Sequence, residues 1–307
     1  MNRIPIVFAF DSNFEMPAGV CLTSLLENAA QDTFYEIFVL HGRDTDFSGS
    51  KLNRLPEIYK NCSLTFKDVG GSFSGAYQVR GITEATYYKL LIPEFLPEYD
   101  KVLYSDVDVI FREDLRRFYD LDLGDHYFAA VDNCAELRPE AREYVTNLGL
   151  DYNSGYFYAG NLVVNSALLR ADKMTETFRK MGSQTYQQQD MDIMNIACNG
   201  RILRLDPSFC LSIQLYHLIV NRRKEFEKLF SSELLERALE SGIVHYNGAK
   251  PWNGACLNMD IWWDYYRRSI WFDQKFCFDF WDRQCTLLDR LPLGKRFRLL
   301  VRGLLGR

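Results

Sequence analysis

In the stretch Lys101-Val-Leu-Tyr-Ser-Asp-Val-Asp-Val-Ile-Phe111, a short apolar strand runs directly into two carboxylates one residue apart. Side chains alternate along a strand, so Asp106 and Asp108 share a face, and a slight turn after Ser105 lets both reach one point. Two carboxylates a few ångströms apart repel unless a proton or a metal ion lies between them, and hard oxygen ligands favour Mg²⁺ or Mn²⁺. Such a metal ion usually carries phosphate oxygens, so the stretch predicts a phosphate-binding metal site.

Asp-x-Asp pairs are common in proteins, and such a pair alone more often belongs to an exposed loop or a helix cap. Here the pair follows an apolar strand, and open α/β sheets bind their ligands at the carboxyl ends of strands. The position of the pair in the chain therefore favours a binding site.

Apolar runs alternate with helix-like segments on both sides of this strand. The other predicted strands are 4–10, 35–41, 64–68, 127–132, 157–165 and 243–245. The predicted helices are 16–30, 52–59, 83–91, 114–119, 166–181, 189–195 and 218–240. Strands that alternate with helices indicate a mostly parallel sheet covered on both faces, which is an α/β fold. We predict one α/β domain over residues 1–255 and an aromatic, basic helical extension over 256–307.

The composition describes a globular chain with a large core, because 47% of its 307 residues are hydrophobic. A net charge of −5 argues against bulk nucleic-acid binding.

The eight cysteines show neither Cys-x-x-Cys nor zinc-type spacing, so free thiols in a reducing compartment are expected. The first residues lack the pattern of a signal peptide, and no apolar run is long enough for a membrane span. We expect a cytoplasmic protein.

His245 follows a predicted strand and precedes a loop that contains Gly248 and Lys250. A single histidine in this position is more often structural than a ligand. However, glycine lets backbone come close to a phosphate, and lysine adds a positive charge for it. A neutral imidazole can complete a site begun by two carboxylates, and a nitrogen ligand favours Mn²⁺ over Mg²⁺.

Six motifs follow one another between residues 4 and 255. They are Val7-Phe-Ala-Phe-Asp-Ser-Asn-Phe14, Tyr87-Tyr-Lys-Leu-Leu-Ile-Pro93, Lys101-Val-Leu-Tyr-Ser-Asp-Val-Asp108, Ala159-Gly-Asn161, Asp190-Met-Asp-Ile-Met-Asn195 and His245-Tyr-Asn-Gly-Ala-Lys-Pro-Trp252. In this order they resemble glycosyltransferase family 8, and in outline the chain is similar to the bacterial lipooligosaccharide α-galactosyltransferases and α-glucosyltransferases. Together the motifs are far more specific than any one of them alone.

The resemblance implies a GT-A type α/β fold and a UDP-hexose-dependent enzyme. Such an enzyme moves galactose or glucose, with retention at the anomeric carbon, from a UDP-sugar to a glycan or glycolipid such as the lipopolysaccharide core. The implied metal ligands are Asp106, Asp108 and His245, with Mn²⁺ as the cofactor and Mg²⁺ as the alternative.

The resemblance also implies the residues that hold the donor. Those implied for the nucleotide are Ala9, Phe10, Asp11, Asn13, Phe14, Val107, Gly248 and Lys250. Those implied for the sugar are Lys89, Asp132, Ala159, Gly160, Asn161, Asp190 and Met191. The candidate catalytic residues among them are Asp190, Asp132 and Lys89. Two alternatives stay open: Asp11 and Asn13 form an Asx turn or helix cap, and Asp190 is only an acid in the first turn of a helix.

Three positions depart from the family pattern. Lys89 stands where the family usually has Arg, which keeps the charge but loses the bidentate fork. Tyr158 stands at a position that is often Asn, and the neighbouring Asn161 could supply an amide. Met191 replaces a common Gln, and a thioether cannot act as a carboxylate-like nucleophile. We therefore predict that the acceptor hydroxyl attacks beside the departing UDP.

The C-terminal stretch Lys295–Arg307 contains five basic residues and no acid. As a helix it places Phe297, Leu300, Val301, Leu304 and Leu305 on one side, which suits a helix lying on an anionic membrane leaflet. The alternative is an ordinary amphipathic helix packed on the domain. The first interpretation predicts a peripheral protein on the inner face of the membrane.

Three other functional classes are alternatives to a transferase. A haloacid-dehalogenase-like phosphatase also places Asp-x-Asp after an apolar strand, but usually on its first strand, whereas about three strand-helix units precede Asp106 here. A non-catalytic sugar-nucleotide-binding protein remains an alternative. A dinucleotide-dependent oxidoreductase is disfavoured, because the turn that begins at Asp11 lacks the required glycines.

Overall fold

The computed structural model describes residues 2–73, 76 and 84–304. The strands in this part of the chain are β1 (Asn2–Ala9), β2 (Thr33–His41), β3 (Cys62–Asp68), β4 (Lys101–Ser105), β5 (Val109–Ile110), β6 (Phe128–Val131), β7 (Asn161–Asn165), β8 (Ile202–Leu205), β9 (Leu211–Ser212) and β10 (Val244–His245). The α-helices are α1 (Glu15–Glu27), α2 (Leu55–Ile58), α3 (Ile92–Phe95), α4 (Arg116–Tyr119), α5 (Pro139–Asn147), α6 (Ser166–Ala171), α7 (Met174–Gly182), α8 (Asp190–Ala197), α9 (Ile213–Asn221), α10 (Arg223–Phe226), α11 (Ser232–Glu240), α12 (Met259–Arg268), α13 (Gln274–Asp289) and α14 (Leu293–Leu304).

Seven of these strands form the central sheet, in the order β3-β2-β1-β4-β7-β6-β8. Every neighbouring pair is parallel except the two pairs that β7 makes with β4 and β6. The sheet confirms the prediction of a mostly parallel α/β architecture. Strand β1, next to the central strand β4, is apolar along most of its length, as expected for a strand covered on both faces.

The two faces of the sheet carry separate apolar layers. Ile4, Ile6 and Phe8 of β1 point into one layer, and Val7 points into the other. This division follows from the alternation of side chains along a strand. Each fully buried residue of this kind contributes about 1.5–3 kcal/mol relative to an exposed one.

A second, three-stranded sheet has the order β5-β10-β9. The chain leaves the central sheet after Ser105, and β5 then pairs antiparallel with β10, so that Val109 lies opposite His245. The backbone N–H of Asp106 donates to the carbonyl of Gly160 at 2.7 Å, which fixes the start of this crossing. The Asp-x-Asp segment is therefore the link between the two sheets.

Several predicted elements differ in extent from the observed ones. The predicted strand 157–165 is regular only over β7, and the predicted helix 218–240 is three helices, α9 to α11. Ser231 interrupts this run because its hydroxyl caps α11 by accepting the N–H of Leu234. The predicted helix 83–91 is a 3₁₀ helix over Glu84–Leu91, and Thr83 lies outside the described residues. Helix α5 and strands β8 and β9 were not predicted.

The C-terminal helices differ in how they pack. Two aromatic residues of α12, Trp262 and Trp263, are buried in the apolar layer that contains Phe8 of β1. These aromatic residues therefore belong to the core. On α14, by contrast, Leu293, Phe297 and Leu300 are 84%, 68% and 65% exposed. Residues 305–307 of the basic stretch lie outside the described part of the chain. The domain boundary at residue 255 stays a prediction.

Candidate active site

A cleft of about 700 Å³ opens where β1, β4 and β10 end. Most of the residues predicted for the nucleotide and the sugar line it, as do all three predicted metal ligands. The predicted residues in its wall are Ala9, Phe10, Asp11, Phe14, Lys89, Asp106, Val107, Asp108, Ala159, Gly160, Asp190, Met191, His245 and Lys250. The crossing between the two sheets thus brings together motifs that are far apart in the sequence.

Asp106, Asp108 and His245 form a compact cluster in this cleft. His245 Nε2 lies 3.3 Å from Asp108 Oδ1 and 3.8 Å from Asp106 Oδ2. One ligand atom from each residue lies within 4.8 Å of the others, and the ligand atoms are two carboxylate oxygens and one imidazole nitrogen. This spacing and donor set fit a divalent cation such as Mn²⁺.

The charge of Asp108 is maintained by its neighbours. Burial alone would raise the pKa of Asp108, but His245 and Lys250 outweigh burial and hold that pKa well below its ordinary value. The ammonium group of Lys250 contacts Asp108 Oδ2 directly. Asp108 is therefore available as an anionic ligand throughout the physiological pH range.

The imidazole of His245 is fixed from two sides. Cys210 Sγ lies 3.3 Å from Nδ1, which leaves Nε2 facing the carboxylates. A Cβ atom added at Gly160 would come within 2.4 Å of His245 Cε1 and 2.8 Å of Asp106 Oδ2. Only glycine therefore leaves room for both groups. The contact at Nδ1 resembles the hydrogen bond that usually orients a metal-bound histidine.

Lys89 lies between Asp106 and Asp190 and joins these two sides of the cleft. Its ammonium nitrogen lies 3.3 Å from Asp106 Oδ1 and 2.9 Å from Asp190 Oδ2. Burial tends to lower the pKa of Lys89, but the two carboxylates raise it well above its ordinary value. Lys89 is therefore a buried cation that holds both carboxylates in place.

Asp190 has a second partner, because Thr86 Oγ1 donates to its Oδ1 at 2.7 Å. Burial raises the pKa of Asp190, and Lys89 opposes that rise. Asp190 is also the first residue of α8, so it is an acid of a first helical turn as well as a residue of the cleft wall. The two interpretations of Asp190 are compatible.

Four predicted residues are not in the cleft wall. Asn13 is exposed and donates its backbone N–H to Asp11 Oδ1, so the Asx turn that was the alternative is present. Gly248 lies in the loop after β10 without lining the cleft. Asn161 is buried, and its Oδ1 accepts from Ser105 Oγ at 2.7 Å. Its Nδ2 is buried without a hydrogen-bond partner among the described residues, and Asn161 does not line the cleft, so it does not present an amide there in place of the one missing at Tyr158.

Asp132, the fourth of these residues, is completely buried behind the wall. Its carboxylate pairs with Arg204 at 2.6 Å and accepts the backbone N–H groups of Cys134 and Tyr156. Burial raises the pKa of Asp132 to about 6 although Arg204 opposes the rise. The Asp132 carboxylate therefore bonds to protein groups in the interior and does not line the cleft.

Residues without a predicted role complete the cleft. Most of them could not be recognised from the sequence, because they lie on α5 or in segments between the motifs. They are Ala85, Thr86, Tyr104, Asn133, Arg138, Glu140, Ala141, Tyr144, Tyr156, Tyr158, Gln188, Gln189, Gln214 and Asn247. Tyr104 and Asn247 are exceptions, since both lie within the quoted motifs, and Tyr104 donates to Asp106 Oδ1 at 2.8 Å.

Residues 5–256 match the family model described as glycosyl transferase family 8. The chain belongs to this family. A lipopolysaccharide 1,3-galactosyltransferase of Salmonella typhimurium is 24% identical over 300 residues, which cover 94% of this chain and 82% of that protein. General stress protein A of Bacillus subtilis is 23% identical over 257 residues, which cover 81% and 87% of the two chains.

A solved structure of the galactosyltransferase LgtC, in complex with donor and acceptor sugar analogues, is similar to this family 8 chain. The two share 26% identity with a TM-score of 0.73, and the match covers 89% of this chain and 99% of LgtC. The predicted family and the predicted GT-A fold are thereby confirmed. The family assignment replaces the alternative of a haloacid-dehalogenase-like phosphatase.

The buried Asp132 predicts a pH dependence of stability. Its pKa is about 6 in the folded state and 3.8 ordinarily, so the folded state holds a proton that the unfolded chain releases between about pH 4 and 6. The free energy of unfolding therefore falls as pH rises through this window, by on the order of 3 kcal/mol from this residue. Asp132→Asn should remove that loss, as measured by urea unfolding at pH 4.5 and 7.

The matched control is Asp122→Asn, which changes an exposed loop carboxylate in the same way. It should keep the pH dependence of the unsubstituted protein. The interpretation is wrong if Asp132→Asn also leaves that dependence unchanged.

Proposed function

We propose that this protein is a retaining, Mn²⁺-dependent hexosyltransferase that moves galactose or glucose from a UDP-sugar to a glycan or glycolipid acceptor such as the lipopolysaccharide core. The observation that carries the proposal is the cluster of Asp106, Asp108 and His245 beside two lysines in one cleft. Similarity to lipopolysaccharide glucosyl- and galactosyltransferases supports this substrate class.

Asp106, Asp108 and His245 would hold the divalent ion. When bound, that ion neutralises the negative charge that grows on the diphosphate of the departing UDP. Lys250 brings a second positive charge to the same side of the cleft, because its ammonium group contacts Asp108. Preorganised charges of this kind stabilise a leaving group without reorganisation during the reaction.

The uridine is proposed to bind where β1 ends, against Ala9, Phe10, Asp11 and Phe14. One carboxylate oxygen of Asp11 is occupied by the backbone N–H of Asn13. The second oxygen can accept the N3 hydrogen of uracil, and the ring of Phe14 can stack on the base. Capping and base recognition therefore use different atoms of Asp11.

The sugar is proposed to lie between Lys89, Asp190 and Met191. Asp190 can accept from a sugar hydroxyl and stabilise positive charge that develops on the ring. Met191 carries no nucleophile, so the acceptor oxygen bonds to the anomeric carbon on the face from which UDP leaves. The proton of the acceptor hydroxyl passes to a phosphate oxygen of UDP, and the glycosidic bond forms with retention.

Asp108→Asn tests the function directly. The change removes one negative oxygen from the proposed cation site, so Mn²⁺-dependent UDP release from UDP-galactose or UDP-glucose should fall by about 10²-fold or more. UDP release is measured with and without Mn²⁺ and with a chelator.

Asp125→Asn is the control for this test, because the side chain of Asp125 is 89% exposed and lies outside the cleft. It should leave the rate unchanged. Equal activity of Asp108→Asn and the unsubstituted protein, or no UDP release with any UDP-sugar, would contradict the proposal. The second result would favour a non-catalytic sugar-nucleotide-binding protein.

We also propose that the protein attaches peripherally to the cytoplasmic face of the membrane. Within the described residues, no helix is both long and apolar enough to cross a bilayer. Helix α14 instead exposes large apolar side chains next to basic ones, and residues 290–304 contain no acid. An amphipathic helix of this kind binds anionic lipid, and each basic group adds about 1 kcal/mol near the surface.

Deleting residues 292–307 should abolish sedimentation with vesicles that contain anionic lipid. Hydrolysis of the UDP-sugar should persist, because residues 292–304, the described part of the deleted segment, do not line the cleft. A full-length variant with Lys295, Arg298 and Arg302 changed to Glu is the matched control for charge and should also fail to sediment. Unchanged sedimentation of the truncated protein would reject this attachment.

A further inference from the structure

Asp192 is a buried carboxylate that the proposed chemistry does not use. It lies one residue beyond Met191, is 0% exposed and does not line the cleft. Three donors occupy its oxygens: Tyr156 Oη lies 2.5 Å from Oδ1, Tyr144 Oη lies 2.6 Å from Oδ2, and the backbone N–H of Gln188 lies 2.8 Å from Oδ2. Neither oxygen of Asp192 is therefore directed at the sugar.

The three donors come from different elements. Tyr144 lies on α5 and Tyr156 precedes β7; both line the cleft, and Tyr156 is almost completely buried. Burial, and then the charge of Asp192, raise the pKa of both tyrosines above the ordinary value. Both phenols therefore stay protonated and donate to Asp192. The carboxylate thus connects α5 to the N-terminal turn of α8.

The backbone immediately before Asp190 has an unusual conformation. Gln189 has a φ of 47° and a ψ of −118°, although it is not glycine. Such a conformation persists only where surrounding contacts determine it. Asp192 provides one of these contacts, because it accepts the N–H of Gln188. The direction in which Asp190 and Met191 enter the cleft therefore depends on Asp192.

We propose that Asp192, held by Tyr144, Tyr156 and the Gln188 amide, is a positioning residue that fixes Asp190 and Met191 against the donor sugar and couples α5 to α8. This inference rests on the proposed transferase function and deepens it. It excludes Asp192 as the nucleophile of a covalent mechanism, since both its oxygens are occupied and it does not line the cleft.

Two substitutions at one position separate these roles. In Asp192→Asn, the amide oxygen can accept from Tyr144 and Gln188, and the amide nitrogen can donate to Tyr156 Oη. We expect this variant to keep kcat within about tenfold of the unsubstituted protein. Asp192→Ala removes all three bonds, and we expect kcat to fall by about 10²-fold, because small misplacements of reacting groups have effects of this size.

Tyr156→Phe removes one of the three bonds and should lower kcat less than Asp192→Ala does. Its matched control is Tyr127→Phe, because Tyr127 donates to Asp172 at 2.6 Å and lies outside the cleft. That control should leave kcat unchanged. Rates are divided by the folded fraction from circular dichroism, so that loss of folding is not counted as loss of rate.

Hydrogen exchange of the amides of residues 187–191 gives a readout that does not need activity. Asp192→Ala should speed this exchange by at least about tenfold, and Asp192→Asn should not.

The proposal is overturned in favour of a catalytic carboxylate if Asp192→Asn and Asp192→Ala lose kcat equally while both keep the protected turn. Unchanged exchange and rate in Asp192→Ala would overturn it as well. If the unsubstituted protein releases no UDP, the proposed function fails, while the exchange data still decide whether Asp192 fixes the turn.

Discussion

The antiparallel pairing of β5 with β10 is the constraint on which the rest of the site depends. It places Val109 opposite His245, and thereby brings the imidazole beside the two carboxylates that precede β5. These strands have only two residues each, so their register is maintained mainly by the buried residues around them. Gly160 and Cys210 then fix the ring within that register.

The cleft balances its own charges before any substrate arrives. Lys250 and His245 are paired with Asp108, and Lys89 is paired with Asp106 and Asp190. Unpaired charges in such a buried position would be costly, so the pairs allow the carboxylates and cations to be placed close together in advance. In the proposed function, His245 would be neutral as a metal ligand, and the divalent ion and the anionic diphosphate would bring opposite charges to the cleft.

The sequence predicted the parts of the site that lie at strand ends, because a strand fixes where its last residue points. This reasoning predicted Asp106, Asp108 and His245. The order of the motifs predicted Lys89 and Asp190. Burial of single polar residues could not be predicted, since Asp132 ends a predicted strand and Asn161 begins β7, yet both are buried. Residues on α5 were missed because its position over the cleft depends on long-range contacts, such as the bond from Tyr144 to Asp192.

The most direct measurement of the central claim is anomalous diffraction at the manganese edge from crystals soaked with Mn²⁺ and UDP. We expect one strong peak within about 2.5 Å of an oxygen of Asp106, an oxygen of Asp108 and Nε2 of His245, with the diphosphate on its open side. A peak elsewhere with no density between these three residues, or UDP bound away from Lys250, would contradict it.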